Sequence, residues 1–314
     1  MPKKAPRNPA DYIVPLNING LDGRLLHMPA PEGKSKNMEI LFIYGHHSSI
    51  ERWWGVVQVL NRYGAVTMPD LPGFGGMDSF YKIGKKPTIN NLADYLAAFV
   101  KMRYKRKKVA IAGMSFGFVV ATRMLQRYPE LTKKVVMMCS IVGFAHHDEF
   151  IFSKPRYYGY LTGAKIMSHK IPATIFRYTA LSPVVLRNFY GRTHNAKHKF
   201  AQAKDAEDLE RLKDVEVKLW HDNDVQTWAY TSSEFLRFDN CEFGKIDLPV
   251  WHVAAKADHF FDNYRVEQHM RIIFKDFHKS EYNMAAHAPS VIADEKTAAP
   301  LIPQNLRRAL RKLS

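Results

Sequence analysis

The run Glu39-Ile40-Leu41-Phe42-Ile43-Tyr44 is apolar after its first residue and stops at Gly45. A segment this short and this uniformly apolar fits a strand covered on both faces, as in the middle of a parallel sheet. Ala65–Met68, Lys108–Ala112, Lys134–Ser140 and Leu248–Ala254 read the same way. Between them lie stretches with helical spacing: Ser49–Arg62, closed by Gly64; Asn90–Tyr104; and Ser115–Tyr128, ended by Pro129. Strands alternating with helices predict a parallel sheet wound by right-handed crossovers, so the chain is expected to be α/β. Ahead of the alternation, Tyr12–Ile18 and Arg24–Pro29 predict two strands joined through Asn19–Gly23, a stretch rich in hairpin residues. Behind it, Ser280–Met284 predicts a last strand and Pro303–Leu313 a closing helix.

The rhythm breaks between His146 and Gly244, where helix-like segments and prolines stand without a clear buried strand. The expected organisation is therefore a core formed by residues 1–145 and 245–314, with residues 146–244 inserted as a helical cap. That insertion holds 16 of the 39 aromatic residues, a density suited to an apolar group of a substrate or to the insertion's own small core. At 314 residues the chain is long enough to bury a large core without staples. Its two cysteines, Cys139 and Cys241, give neither a disulfide framework nor a zinc spacing. The longest apolar stretch, Val109–Ala121, is too short for a membrane span. The charged start, Met1–Arg7, lacks the apolar region of a signal peptide, so a cytoplasmic protein is expected.

The sharpest local pattern is Gly113-Met114-Ser115-Phe116-Gly117, a G-x-S-x-G that directly follows an apolar strand and opens a helix. A strand–turn–helix this tight brings neighbouring backbones close, and only small residues fit two positions before and after the serine. A hydroxyl becomes a useful nucleophile only when a base takes its proton, and in an open parallel sheet such groups converge on loops at the carboxyl ends of strands. The loop after Ala254 offers Asp258 and Asp262, with Asp258 first in order. The loop after the last strand offers His287, the only histidine beyond that strand. His259 shares the acid's loop and reads as a pocket or structural residue. The chain order is then Ser115, Asp258, His287.

Taken together, Ile40–Gly45, Asp70-Leu71-Pro72-Gly73-Phe74-Gly75, the Gly113–Gly117 elbow, the acid loop and the histidine loop make the chain resemble the α/β-hydrolase superfamily of serine hydrolases over nearly its whole length. The resemblance implies an eight-stranded, mostly parallel sheet flanked by helices, a helical cap inserted after the sixth strand, and a Ser–His–Asp triad of Ser115, His287 and Asp258. By position, the oxyanion hole would use the backbone N–H of Phe116 and of a residue after the third strand, for which His46 is the candidate. Two departures stand out: Tyr44-Gly45-His46-His47 where relatives often carry His-Gly, and Phe118 where they often carry a further glycine. The pair His46-His47 has no third metal ligand at a recognisable spacing, and the Pro/Gly-rich setting of Asp70 marks it as a wall of the site. Epoxide hydrolases and haloalkane dehalogenases of this superfamily place Asp at the elbow, whereas Ser115 points to acyl transfer to water without metal or cofactor. The expected activity is that of an esterase or lipase-like enzyme on a small-molecule ester. An acyltransferase or carbon–carbon bond hydrolase would use the same triad, and a non-catalytic binding protein could share the scaffold.

A net charge of +16, from 46 Lys+Arg against 30 Asp+Glu, favours anionic surfaces. Six basic residues lie in Lys101–Lys108, and Arg307, Arg308, Arg311 and Lys312 lie in the last helix. The first cluster enters the amino end of the elbow strand, away from the carboxyl-end chemistry, so it is expected to face away from the site and could dock on anionic lipid. No nucleic-acid-binding module or basic–aromatic stripe is present, and no nucleic-acid partner is expected.

Overall fold

A computed structural model describes residues 8–34, 38–192, 200, 203, 205–283, 287 and 294–313. Eight strands form one sheet: β1 (Ile13–Ile18), β2 (Leu21–Met28), β3 (Met38–Ile43), β4 (Ala65–Pro69), β5 (Lys108–Met114), β6 (Val135–Ile141), β7 (Ile246–Ala255) and β8 (Phe274–Tyr282). Their order across the sheet is β1-β2-β4-β3-β5-β6-β7-β8. β2 runs antiparallel to both of its neighbours, and every pair from β4–β3 through β7–β8 is parallel. All six residues of β3 are buried, which is why the strand is apolar without alternation apart from Glu39, whose buried carboxylate pairs with Lys107. The outcome is the α/β-hydrolase fold.

Two differences from the sequence expectations have simple causes. The β1–β2 turn is only Asn19-Gly20, both at positive φ (52° and 80°), so pairing resumes at Leu21 rather than Arg24. Asparagine and glycine tolerate that backbone, and such a two-residue turn matches the twist of the flanking strands. β8 begins at Phe274, six residues before the expected Ser280. It is an edge strand with most positions partly exposed, so it carries no apolar run to announce it. Met284, at the expected end of that strand, lies outside the described residues.

Helices α1 (Trp54–Asn61), α2 (Ile89–Arg103) and α3 (Phe116–Arg127) belong to the first crossovers. α4 (Lys154–Met167), α5 (Lys170–Tyr178), α6 (Pro183–Arg192), α7 (Ala206–Asp222) and α8 (Val225–Phe235) all lie between β6 and β7. α9 (Asn263–Ile273) joins β7 to β8, and the short α10 (Glu295–Ala298) and α11 (Gln304–Leu313) follow. The helices between β6 and β7 have cores of their own: Ala173, Leu181, Leu186, Val217 and Val225 in one, Phe200 and Leu212 in another. The two ends of this insertion are tied together, with Asn240 N–H on the Ala145 carbonyl at 3.0 Å and His147 N–H on that of Phe238 at 3.0 Å. Among the described residues, no helix is long and apolar enough to cross a membrane.

Candidate active site

Ser115 occupies the turn from β5 to α3 with φ 47° and ψ −120°, a conformation that side-chain-bearing residues rarely adopt. Its N–H is anchored on the Ile141 carbonyl of β6 at 2.9 Å. The flanking glycines are sterically required. A Cβ on Gly113 would sit 2.5 Å from Phe118 Cα, and one on Gly117 would collide with the carbonyl oxygens of Ile43 and Tyr44. α3 thus starts pressed against the end of β3, which leaves the serine proud of the sheet. Phe118, at the position where relatives often have glycine, packs its ring at a tilt against Phe274 of β8 with centroids 5.8 Å apart.

Three residues far apart in sequence meet here. His287 Nε2 lies 3.0 Å from Ser115 Oγ, and His287 Nδ1 lies 2.6 Å from Asp258 Oδ2. With Nδ1–H directed at the carboxylate, Nε2 carries the lone pair that faces the hydroxyl. The other carboxylate oxygen of Asp258 accepts the backbone N–H groups of Phe260 (2.8 Å) and Phe261 (3.2 Å). Burial pushes this carboxyl's pKa up, but the bond to His287, its charge and those two N–H groups outweigh that effect and hold it below the ordinary value. Tyr282, near the end of β8, donates its hydroxyl to the His287 carbonyl at 2.6 Å and so fixes the backbone that carries the imidazole.

Asp262, the other carboxylate of the loop, is turned away. It caps α9, accepting from the N–H groups of Tyr264 (2.9 Å) and Arg265 (3.3 Å). His259 packs its ring on Phe260, 4.1 Å between centroids, and burial lowers its pKa. Residues 284–286 and 288–290 of the histidine loop lie outside the described residues.

After β3 the chain turns through Tyr44-Gly45-His46-His47. The half-buried His46 ring sits between Phe74, Phe116 and Phe235, each with its centroid within 5.5 Å. Its Nε2 is 2.8 Å from Thr231 Oγ1, whose own proton goes to the Thr227 carbonyl, so the imidazole is the donor. Burial pushes the His46 pKa down to about 3, only partly opposed by a bond to the Trp228 backbone. His47 turns elsewhere, its Nδ1 3.1 Å from Asn223 Nδ2 and its ring 3.9 Å from that of Trp220. The two adjacent histidines therefore do not converge. Among the described residues, one group of metal-ligand types draws together, His146, His147 and Asp148. Both ring nitrogens of His146 are already engaged, Nδ1 with the Asp148 N–H at 2.9 Å and Nε2 with Asp239 at 3.2 Å.

Asp70 is held as a structural post. It accepts from Arg24 Nε and from the Tyr44 hydroxyl, both at 3.0 Å, while Tyr44 accepts the Leu71 N–H at 2.8 Å. Its loop is also where the insertion docks on the core. Asp224 N–H reaches the Gly73 carbonyl at 2.8 Å, and Gly75 N–H reaches Asn223 Oδ1 at 2.8 Å. Gly73 faces Thr227 so closely that a Cβ would lie 2.6 Å from its side chain.

Sequence reasoning missed the aromatic surround. Ring contacts run from His287 to Phe261 (5.2 Å), on to Phe144 (4.5 Å) and Phe150 (4.6 Å), then to Phe235 and from it to Phe116 (5.7 Å) beside the serine. Only Phe150 and Phe235 belong to the aromatic-dense insertion, and that density could not say which of its rings turn inward; nothing in the sequence marked Phe144 or Phe261, which come from the core on either side of it.

A sequence profile of the hydrolase family described as Serine aminopeptidase, S33, matches residues 34–290. Among curated proteins, Protein ABHD8 of Bos taurus and of Homo sapiens is each 31% identical over 108 residues, 34% of this chain and 24% of that protein. The chain thus matches about a quarter of the length of those relatives. Among solved structures, an esterase from Thermogutta terrifontis is 16% identical with a TM-score of 0.62, covering 96% of this chain and 98% of that one. The epoxide hydrolase CorEH is 14% identical with a TM-score of 0.65, at 95% and 98% coverage. A bacterial membrane phospholipase A is 15% identical with a TM-score of 0.65, at 95% and 86%.

Proposed function

The chain belongs to the hydrolase family described as Serine aminopeptidase, S33, and from that premise we propose that it is a serine hydrolase cleaving a carboxylic ester with an apolar acyl or alcohol part. One observation carries this reading: Ser115 Oγ, His287 and Asp258 stand in a continuous line of 3.0 Å and 2.6 Å contacts. Ser115 attacks the acyl carbonyl while His287 Nε2 takes its proton. Asp258 holds the imidazole in the tautomer with Nδ1–H and stabilises the imidazolium that forms. The imidazolium then protonates the leaving alcohol, and water releases the acyl group by the same steps. The oxyanion would sit against the backbone N–H groups of Phe116, at the start of α3, and of His46. Each such donor is typically worth about 2.7–4 kcal/mol in the transition state.

The insertion acts as the cap that chooses the substrate. Phe150 and Phe235 of the insertion, with Phe144 and Phe261 of the core, connect through ring contacts to both His287 and Phe116, which favours an apolar ester over a peptide with a free α-ammonium group. The serine at the elbow sets this chain apart from epoxide chemistry, which needs a carboxylate nucleophile. Labelling with a fluorophosphonate probe, followed by p-nitrophenyl esters of increasing acyl length and amino-acid p-nitroanilides, tests the assignment. Wild type should label and turn over esters faster than anilides, while Ser115→Ala and His287→Ala should not label. Ester turnover retained by folded Ser115→Ala overturns the mechanism. Transfer of the acyl group to an added alcohol or thiol in preference to water would make the enzyme an acyltransferase. A folded wild type without labelling or turnover would support a binding protein on the same scaffold.

A further inference from the structure

Charge and exposed apolar surface are distributed very unevenly within the insertion. Residues 150–204 contain ten Lys or Arg and no Asp or Glu, whereas all the acidic residues of the insertion beyond Glu149 lie from Asp205 onward. The later acidic groups are largely matched within their own helix, as in Asp208–Arg211 and Glu210–Lys213 of α7. The helices of the basic half are also the ones that leave large apolar side chains in solvent. α4 buries a single residue, Ala164, and nothing lies within 4 Å of where a Cβ on Gly159 or Gly163 would stand. On α5, Ile171, Ile175 and Tyr178 are 74%, 59% and 75% exposed. Their i, i+4, i+7 spacing places them on one stripe. Val184, Val185 and Phe189 are likewise exposed on α6. Monomeric proteins rarely present so much apolar side chain in one region without a partner for it.

We propose that α4–α6 form a surface that docks on an anionic lipid bilayer. Isoleucine, valine and aromatic side chains projecting from helices whose only formal charges are positive match an interface of acyl chains beneath anionic headgroups. A protein partner would need counter-charges and shape at fixed points, whereas a bilayer requires only this coarse combination. Lys154, Lys165 and Lys170 are exposed, and Arg156 lies over the rings of Phe152 and Tyr160. The cluster Lys101–Lys108, by contrast, is largely engaged within the fold. Lys101 pairs with Glu130 (3.0 Å) and Lys107 with Glu39 (2.7 Å), while Lys108 donates to the Lys133 carbonyl (2.6 Å). The docking surface therefore belongs to the insertion rather than to that basic cluster.

Co-sedimentation of the full chain with phosphatidylcholine vesicles and with vesicles containing phosphatidylserine tests this. Wild type should bind the anionic vesicles preferentially and lose binding as salt is raised. Ile171→Ser/Ile175→Ser/Tyr178→Ser and Lys154→Glu/Lys165→Glu/Lys170→Glu should each weaken partitioning at least about tenfold. Lys105→Glu/Arg106→Glu should leave it unchanged. All six α4–α5 positions are exposed, and an unaltered circular dichroism spectrum confirms that loss of binding is not loss of fold. Equal binding to both vesicle types, undiminished binding of either triple variant, or loss in the Lys105/Arg106 variant instead would overturn the proposal. So would a wild-type dimer that the apolar triple variant converts to monomer. Vesicle binding is read without turnover, so its failure leaves the ester chemistry standing.

Discussion

Replacing Ser115 by Gly and by Ala separates two properties that the native residue combines. Both substitutions delete the hydroxyl facing His287, and neither removes a helix cap, because the Ser115 side chain makes no capping bond to α3. They differ in backbone freedom. At φ 47° and ψ −120° alanine keeps the strain of a Cβ-bearing residue, which costs about 1–3 kcal/mol, while glycine relieves it. Glycine in turn loses about 0.5–1 kcal/mol more chain entropy on folding. Ser115→Gly should therefore be more stable than Ser115→Ala by about 0.5–2 kcal/mol. For a chain of 314 residues that corresponds to a rise in Tm of about 1–3 °C. Urea unfolding gives the free-energy difference and scanning fluorimetry the Tm, and both variants should be inactive towards esters. Equal stabilities, or a less stable glycine variant, would refute the idea that strain is stored at the nucleophile.

Asp258→Asn should lower kcat by about 10⁴-fold through the wrong imidazole tautomer, whereas Asp262→Asn should leave ester hydrolysis within a few fold; steady-state assays of the pair decide which acid serves His287. Gly117→Ala should destabilise by about 1–3 kcal/mol, because the new methyl meets the Ile43 and Tyr44 carbonyls. Gly159→Ala, in open space on α4, should stabilise by about 0.5–1 kcal/mol, and urea unfolding reads both. Acid should weaken the fold through two imidazoles, the half-buried His46 and the buried His252, with pKa values pushed down by desolvation to about 3 and about 4. The unfolded chain takes up these protons near pH 6.5 and the folded chain only at lower pH, so stability is full above 6.5 and falls below it. Between pH 7.5 and 5 each group should remove about 2 kcal/mol, and His252→Gln should lose its share of that pH dependence in urea titrations.

Local pattern carried most of the architecture because central parallel strands are buried on both faces and must be largely apolar, as Ile40–Ile43 of β3 are. Where that condition lapses, the sequence falls silent. β8 is an edge strand, and its first six residues, Phe274–Lys279, look like any amphiphilic segment. The G-x-S-x-G elbow was legible for the same kind of reason, since its glycines answer to contacts within a few residues and against one adjacent strand.

The candidate triad was legible as far as chain order and loop position could take it, to Ser115, His287 and Asp258, the last preferred to Asp262 only by its earlier place in the loop. Asp258 and Asp262 have similar local surroundings in sequence. Only the tertiary structure turns one onto His287 and uses the other to cap α9, because that choice depends on where β8 delivers the imidazole. The brace from Tyr282 to the His287 carbonyl, the aromatic surround and the docking of Thr227 on Gly73 are likewise decided by packing between distant segments. Periodicity and small-residue patterns are written in sequence because they satisfy constraints over a few residues. Contacts between loops are not, because any of several side chains meets the local constraint and only the assembled fold selects the one that fits.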